Sequence, residues 1–276
     1  MTAPAEQPAA DPRTARFGRL VERDDGADFP YYRDAPPRIS AGQWLLVVAA
    51  CAVGFAVLAL TPQPDDYLAL VPRILFAAVP LTVLALVAAR SGRSWRALFR
   101  PVHGRDVLTV IAFAALNLAV TSVLALIVRA LFGATANSAT QGLDQLSAGE
   151  LTAFYLGTGV QLLGEELFTI LPFLAVLTWL HTRTPGRTGV PRTRAVLVAW
   201  LVTAIWFGAA HLPTYGWNLA QALVVIGGAR LVLTLAYLRT KNLAVCTGAH
   251  VLNDWSTFTF ALLTSGTAAG AASAGT

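Results

Sequence analysis

Long apolar stretches dominate this chain and leave it few folds to choose from. Seven of them, near 42–60, 70–89, 107–132, 151–180, 195–212, 218–238 and 242–263, are long enough to cross a bilayer, for which about 20 helical residues suffice. Hydrocarbon offers backbone N–H and C=O groups no water to bond, so such runs fold as helices. Charged residues make up 13% of the chain, where a soluble domain carries about 25%. That is too few to cover a water-facing surface. The expected fold class is all-α: a polytopic transmembrane helix bundle of about seven spans, in the cell membrane and surrounded by membrane lipids. A formal net charge of +5 would suit a nucleic-acid binder. The charges, however, fall mainly in the first 41 residues and in the gaps between apolar runs, so no nucleic-acid partner is expected.

The organisation follows. Residues 1–41 are rich in Pro and mixed charge and are expected to be a mostly disordered cytoplasmic tail, with Phe29-Pro30-Tyr31-Tyr32 touching the headgroup region. Residues 42–263 form the helical domain, and 264–276, largely Ala, Gly, Ser and Thr, a flexible end. Cys51 and Cys246 lie within apolar runs and read as small buried hydrophobes. Eleven Lys and Arg residues fall in the connections 90–105, 181–194 and 239–241, and none in 61–69, 133–150 or 213–217. Basic connections stay in the cytoplasm, which predicts a cytoplasmic N-terminus and a C-terminus outside. Trp44, Trp95, Trp179 and Trp217, near predicted span ends, fit an interfacial belt.

Ionisable side chains at membrane depth cost several kcal/mol and each needs a reason. Glu165 and Glu166 fall in the fourth span, His211 in the fifth, Arg230 in the sixth, and His250 with Asp254 in the seventh. His250 and Asp254 are one helical turn apart on a shared face, as are Phe207 and His211. Contributions from four consecutive helices point to one interior cavity. A carboxylate and two imidazoles in a dry cavity suit peptide hydrolysis: the carboxylate takes a proton from water, and imidazoles hold that water or pass protons on. Two His and one carboxylate, Glu165, His211 and His250, could instead hold a zinc ion, although no H-E-x-x-H is present. Intramembrane Glu, Asp and His also mark proton-coupled transporters, but the seven spans show no paired halves.

Three motifs carry a resemblance. The chain reads Glu165-Glu166-Leu167-Phe168-Thr169-Ile170, then Phe207-Gly208-Ala209-Ala210-His211, then His250-Val251-Leu252-Asn253-Asp254. In order and spacing these resemble the E-E-x-x-x-R, F-x-x-x-H and H-x-x-x-N motifs of the CPBP (Abi) family of intramembrane proteases, which includes the type II CAAX prenyl endopeptidases. The resemblance covers about residues 150–260. It implies an intramembrane endopeptidase acting on a peptide or membrane-protein substrate, with Glu165 activating water, His211 assisting, and His250 with residue 254 on the oxyanion side. Both a metal-dependent and a metal-free glutamate mechanism are argued for that family. Two positions depart from its pattern: Ile170 stands where the family has Arg, and Asp254 where it has Asn. The departures keep open a catalytically inactive scaffold or immunity protein. Arg230 is the expected replacement partner for Glu166, and Phe207 is expected to pack in support.

Overall fold

The computed structural model describes residues 16–18, 21–32, 39–62, 67–137, 140–182 and 191–274. Among these there are seven helices and no strand. Helix α1 (Ala41–Leu60) starts where Ser40 and Gln43 cap each other's backbone N–H groups. Helix α2 (Leu70–Arg90) carries Pro72 in its first turn, where a missing N–H costs nothing, and Pro80 in its interior. Helices α3 (Gly104–Phe132), α4 (Ala148–Thr182) and α5 (Arg192–Ala210) follow. Helix α6 (Gly227–Thr240) is entered through a π-helical turn, Gln221–Ile226, and α7 runs Leu243–Ala274.

Among the described residues, six helical stretches are long and apolar enough to cross a membrane: α1 to α5 and Gln221–Thr240. The expected seventh, α7, does not meet that measure, because His250, Asn253, Asp254 and many Ser and Thr residues dilute its apolar character. Leu45, Leu60, Leu108, Leu126, Leu131 and Phe132 are exposed. A lipid-facing surface accommodates such side chains, and a water-facing one does not. The chain is a multi-pass helical membrane protein.

Helix α4 lies at the centre, packed against α1, α2, α5 and α7. Its Leu167, Ile170, Leu171, Phe173, Leu174 and Leu177 are fully buried. Lipid is as apolar as leucine, so these contacts hold through close packing rather than through expulsion of water. Two glycines permit the approach. A Cβ on Gly164 would lie 2.6 Å from the Phe76 ring of α2, and one on Gly208 of α5 would lie 2.6 Å from the carbonyl of Ala222 in the π turn. The first lets α2 press on α4 beside Glu165; the second draws the ends of α5 and α6 together.

The tail departs from expectation. Within the described part of 1–41, Glu22, Phe29, Tyr31 and Tyr32 are buried against the bundle rather than disordered or in the headgroups. Glu22 accepts hydrogen bonds from Arg192 Nη1 at 2.6 Å and Nη2 at 2.7 Å, and pairs with Lys241 Nζ at 2.6 Å. Asp28 takes a further bond from Arg192 at 2.9 Å. Phe29 lies against the Arg192 guanidinium at 4.9 Å and the Lys241 ammonium at 5.1 Å. Burial pushes the Glu22 carboxyl up, but the Arg192 and Lys241 hydrogen bonds outweigh it and bring it down to about 2. Two cations at helix ends, Arg192 at the start of α5 and Lys241 just past α6, thus recruit a carboxylate from a segment that composition alone assigns to solvent. Trp44 is likewise buried, edge-on to Tyr31 at 6.0 Å, and takes no part in an interfacial belt. At the other terminus the helix continues to Ala274 where a flexible end was expected from 264, in keeping with the helix propensity of its alanines.

Candidate active site

One cavity of about 1040 Å³ collects Glu165, Phe207, His211, Arg230, His250 and Asp254 in its wall. Unequal helix lengths help to form it. At 1.5 Å per residue, α5 is about 28 Å long and α4 and α7 are each about 50 Å, so a short α5–α6 hairpin stands beside long walls. His211 terminates α5 as its cap residue, one position beyond the helix, rather than lying inside the span as expected.

The two glutamates face different surroundings. Glu166 is completely buried. Its Oε1 meets Arg230 Nη2 at 2.7 Å and His250 Nδ1 at 2.9 Å, and its Oε2 accepts from the Cys246 thiol at 2.6 Å. A carboxylate only accepts, so His250 Nδ1 carries the proton and its Nε2 is turned to other partners. That nitrogen is 3.8 Å from Glu165 Oε2 and 3.8 Å from Asp254 Oδ1. Glu165 lies on the cavity wall, and its Oε1 accepts a 3.0 Å hydrogen bond from Gln161 Nε2, one turn earlier on α4. Glu166 therefore orients the imidazole, while Glu165 keeps an oxygen toward the chamber.

Arg230 takes the place that Ile170 leaves empty. Ile170 is fully buried among apolar neighbours, and the cation comes from α6 instead. The Arg230 guanidinium lies against the Phe207 ring at 4.9 Å, and the same ring is 4.5 Å from His211 and 6.4 Å from His250. Phe207 thus separates and braces three site residues. His211 Nδ1 is 2.8 Å from the Phe207 carbonyl. A carbonyl can only accept, which leaves His211 Nε2 unprotonated in the neutral ring.

Sequence reasoning missed a second set of polar groups. Asn117 of α3 donates to Asn253 at 3.0 Å, and Asn253 donates in turn to Asp254 at 2.8 Å. Asn117 stands out in hindsight as the one carboxamide in the apolar run of α3. Gln161 was discoverable from its i−4 spacing to Glu165. Tyr215 lines the cavity from the connection after α5. Burial first, and then the charges of Asp254 and Glu165, push its phenol up to about 12, so it remains a neutral O–H donor. No local pattern in the sequence marks that tyrosine.

A zinc centre built on Glu165, His211 and His250 does not fit this arrangement. Among the described residues no three His, Cys, Asp or Glu side chains converge closely enough to hold a metal ion.

No curated protein and no solved structure matches the chain. Residues 147–256 match the family model described as type II CAAX prenyl endopeptidase Rce1-like, a segment that contains Glu165, Glu166, His211, Arg230, His250 and Asp254. The match covers 110 of the 276 residues and, with the all-helical membrane fold, supports a likeness of that segment to the CAAX-protease (CPBP) family.

Proposed function

We propose that the protein is an intramembrane endopeptidase in which Glu165 activates a water molecule for attack on a peptide carbonyl. The observation that carries this reading is the pairing of a cavity-facing carboxylate with an imidazole fixed from behind: Glu165 Oε2 and His250 Nε2 are 3.8 Å apart across the chamber. That gap is too long for a direct hydrogen bond and suits a bridging water.

The chemistry then runs as follows. Glu165 takes a proton from the water, whose oxygen bonds to the carbonyl carbon and generates a tetrahedral oxyanion. An imidazolium at His250 and the neutral phenol of Tyr215 are donors suited to that oxyanion. The C–N bond breaks as the proton held by Glu165 passes to the leaving nitrogen, giving a carboxylic acid and an amine. His211, with its Nε2 lone pair, assists the proton transfer. Glu166 and Arg230 stay out of the bond changes: the first fixes the His250 ring, and the second neutralises the first. Asp254, an acceptor when ionised, serves His250 rather than the oxyanion. The Arg230–Glu166 contact supports activity despite Ile170, because the charge compensation that the family places within one helix is here supplied by another.

The test is peptide hydrolysis by the purified full-length protein in detergent, with wild type set against Glu165→Gln. Loss of a general base is expected to lower the rate by about 10²–10⁴-fold with the thermal unfolding profile unchanged. Hydrolysis that survives Glu165→Gln would remove Glu165 from the reaction. No hydrolysis by folded wild type across a broad peptide library would favour a binding role instead.

A further inference from the structure

The cavity has a direction. Its outer lining comes from Thr61 and Ala69 around the α1–α2 connection, from Asn137, Gln141 and Leu146 in the α3–α4 connection, and from Glu150 at the start of α4. None of its lining residues comes from the opposite end, where the connections 91–103 and 241–242 and the residues around Glu22 lie. The chamber therefore opens at one end of the bundle and is closed at the other by packed side chains.

The charges of the two ends differ. At the closed end, the described residues of the connections 90–105, 181–194 and 239–241 include nine basic side chains. At the open end, the described residues of 61–69 and 133–150 include Asp144 and Glu150 and no Lys or Arg. The basic end is the one retained in the cytoplasm during insertion. Packing agrees with the assignment: Glu22 is locked to Arg192 and Lys241 at the closed end, so the N-terminal segment and the basic connections share one side.

We propose that the chamber opens on the extracytoplasmic side and receives a polypeptide segment that has already crossed the membrane, rather than a cytoplasmic chain terminus. This deepens the peptidase reading and rests on it for the word substrate; the side on which the mouth lies stands independently. The segment that enters is then either free peptide or the exported face of a membrane protein. The mouth, with Glu150 and the partly buried Arg73, is a polar vestibule above an apolar throat formed in part by Phe55, Leu58 and Leu162.

The experiment has two arms on the full chain in a bacterial inner membrane. The first uses single cysteines, Gln141→Cys at the mouth and Ala97→Cys at the basic end, both exposed positions, against a background in which Cys51 and Cys246 are buried. A membrane-impermeant maleimide applied to intact spheroplasts is expected to label Gln141→Cys at least tenfold more than Ala97→Cys, with parity after permeabilisation. The reverse pattern would overturn the proposal outright. The second arm adds an internally quenched decapeptide library to spheroplasts and to sealed inverted vesicles. Cleavage dependent on Glu165 in spheroplasts supports the proposal; cleavage confined to inverted vesicles overturns it and leaves the peptidase reading standing. Absence of cleavage in both preparations and in detergent would refute the peptidase reading, while the labelling result still decides which side the mouth faces.

Discussion

Removing Arg230 leaves a carboxylate stranded in the protein interior. Both partners are fully buried and 2.7 Å apart, and Glu166 has only His250 and Cys246 left once the guanidinium is gone. Breaking one side of a buried ion pair costs about 3–5 kcal/mol, most of it the penalty of an uncompensated charge. Against a typical unfolding free energy of about 5–15 kcal/mol, that is a large share. Arg230→Met is therefore expected to lower the thermal unfolding temperature in detergent sharply, and to reduce peptide hydrolysis because the Glu166 carboxylate no longer holds His250 in place. Glu166→Gln in the same chain should restore about half or more of the lost stability, since a neutral amide needs no cation. Activity should not return, because the amide is a poorer anchor for the imidazole. A sharper form of the test places Ile170→Arg in the Arg230→Met background. Position 170 is one turn from Glu166 on the same face of α4 and is where the family pattern has its cation. Partial recovery of stability and of hydrolysis is expected. If Arg230→Met alone were as stable and active as wild type while Glu166→Gln was not, the charge-compensation argument would be wrong.

Two further substitutions read other parts of the molecule. Glu22 has its folded value near 2 against an ordinary 4.5, so its contribution is complete above pH 4.5 and is lost as pH falls toward 2. The gap corresponds to about 3 kcal/mol; Glu22→Gln should remove about that much at pH 7 and flatten the loss of stability between pH 4.5 and 2, followed by thermal unfolding across pH. Asp254→Asn supplies an N–H donor beside the chamber while keeping the acceptor for Asn253, and is expected to raise kcat with the fold unchanged; a tenfold fall would mean that the carboxylate itself takes part.

The sequence made the helices legible because hydrocarbon imposes its requirement segment by segment, through length and apolarity. It made the site legible because a charge in hydrocarbon is expensive enough that Glu165, Glu166, His211, Arg230 and His250 could scarcely be scattered by chance. Even the replacement of the missing cation at Ile170 by Arg230 followed from that cost. What remained hidden depended on distant partners. Glu22 sits among acidic, basic and Pro residues that look soluble, and its burial follows from Arg192 and Lys241 far along the chain. Asn117 and Tyr215 lie outside the three motifs and join the site only through the packing of α3 on α7 and the turn after α5. The direction in which the chamber opens was also beyond reach, since helix ends that project past their neighbours are set by three-dimensional packing.

Supplying the compensating cation from α6 rather than α4 has a mechanical effect. The α5–α6 hairpin is fastened midway along α6 by the Arg230–Glu166 contact and near its tip by the close approach of Gly208 to the π turn, and its connection borders the vestibule. His211 and Tyr215 sit on that connection, so the contacts that fasten the hairpin also hold these two side chains over the chamber.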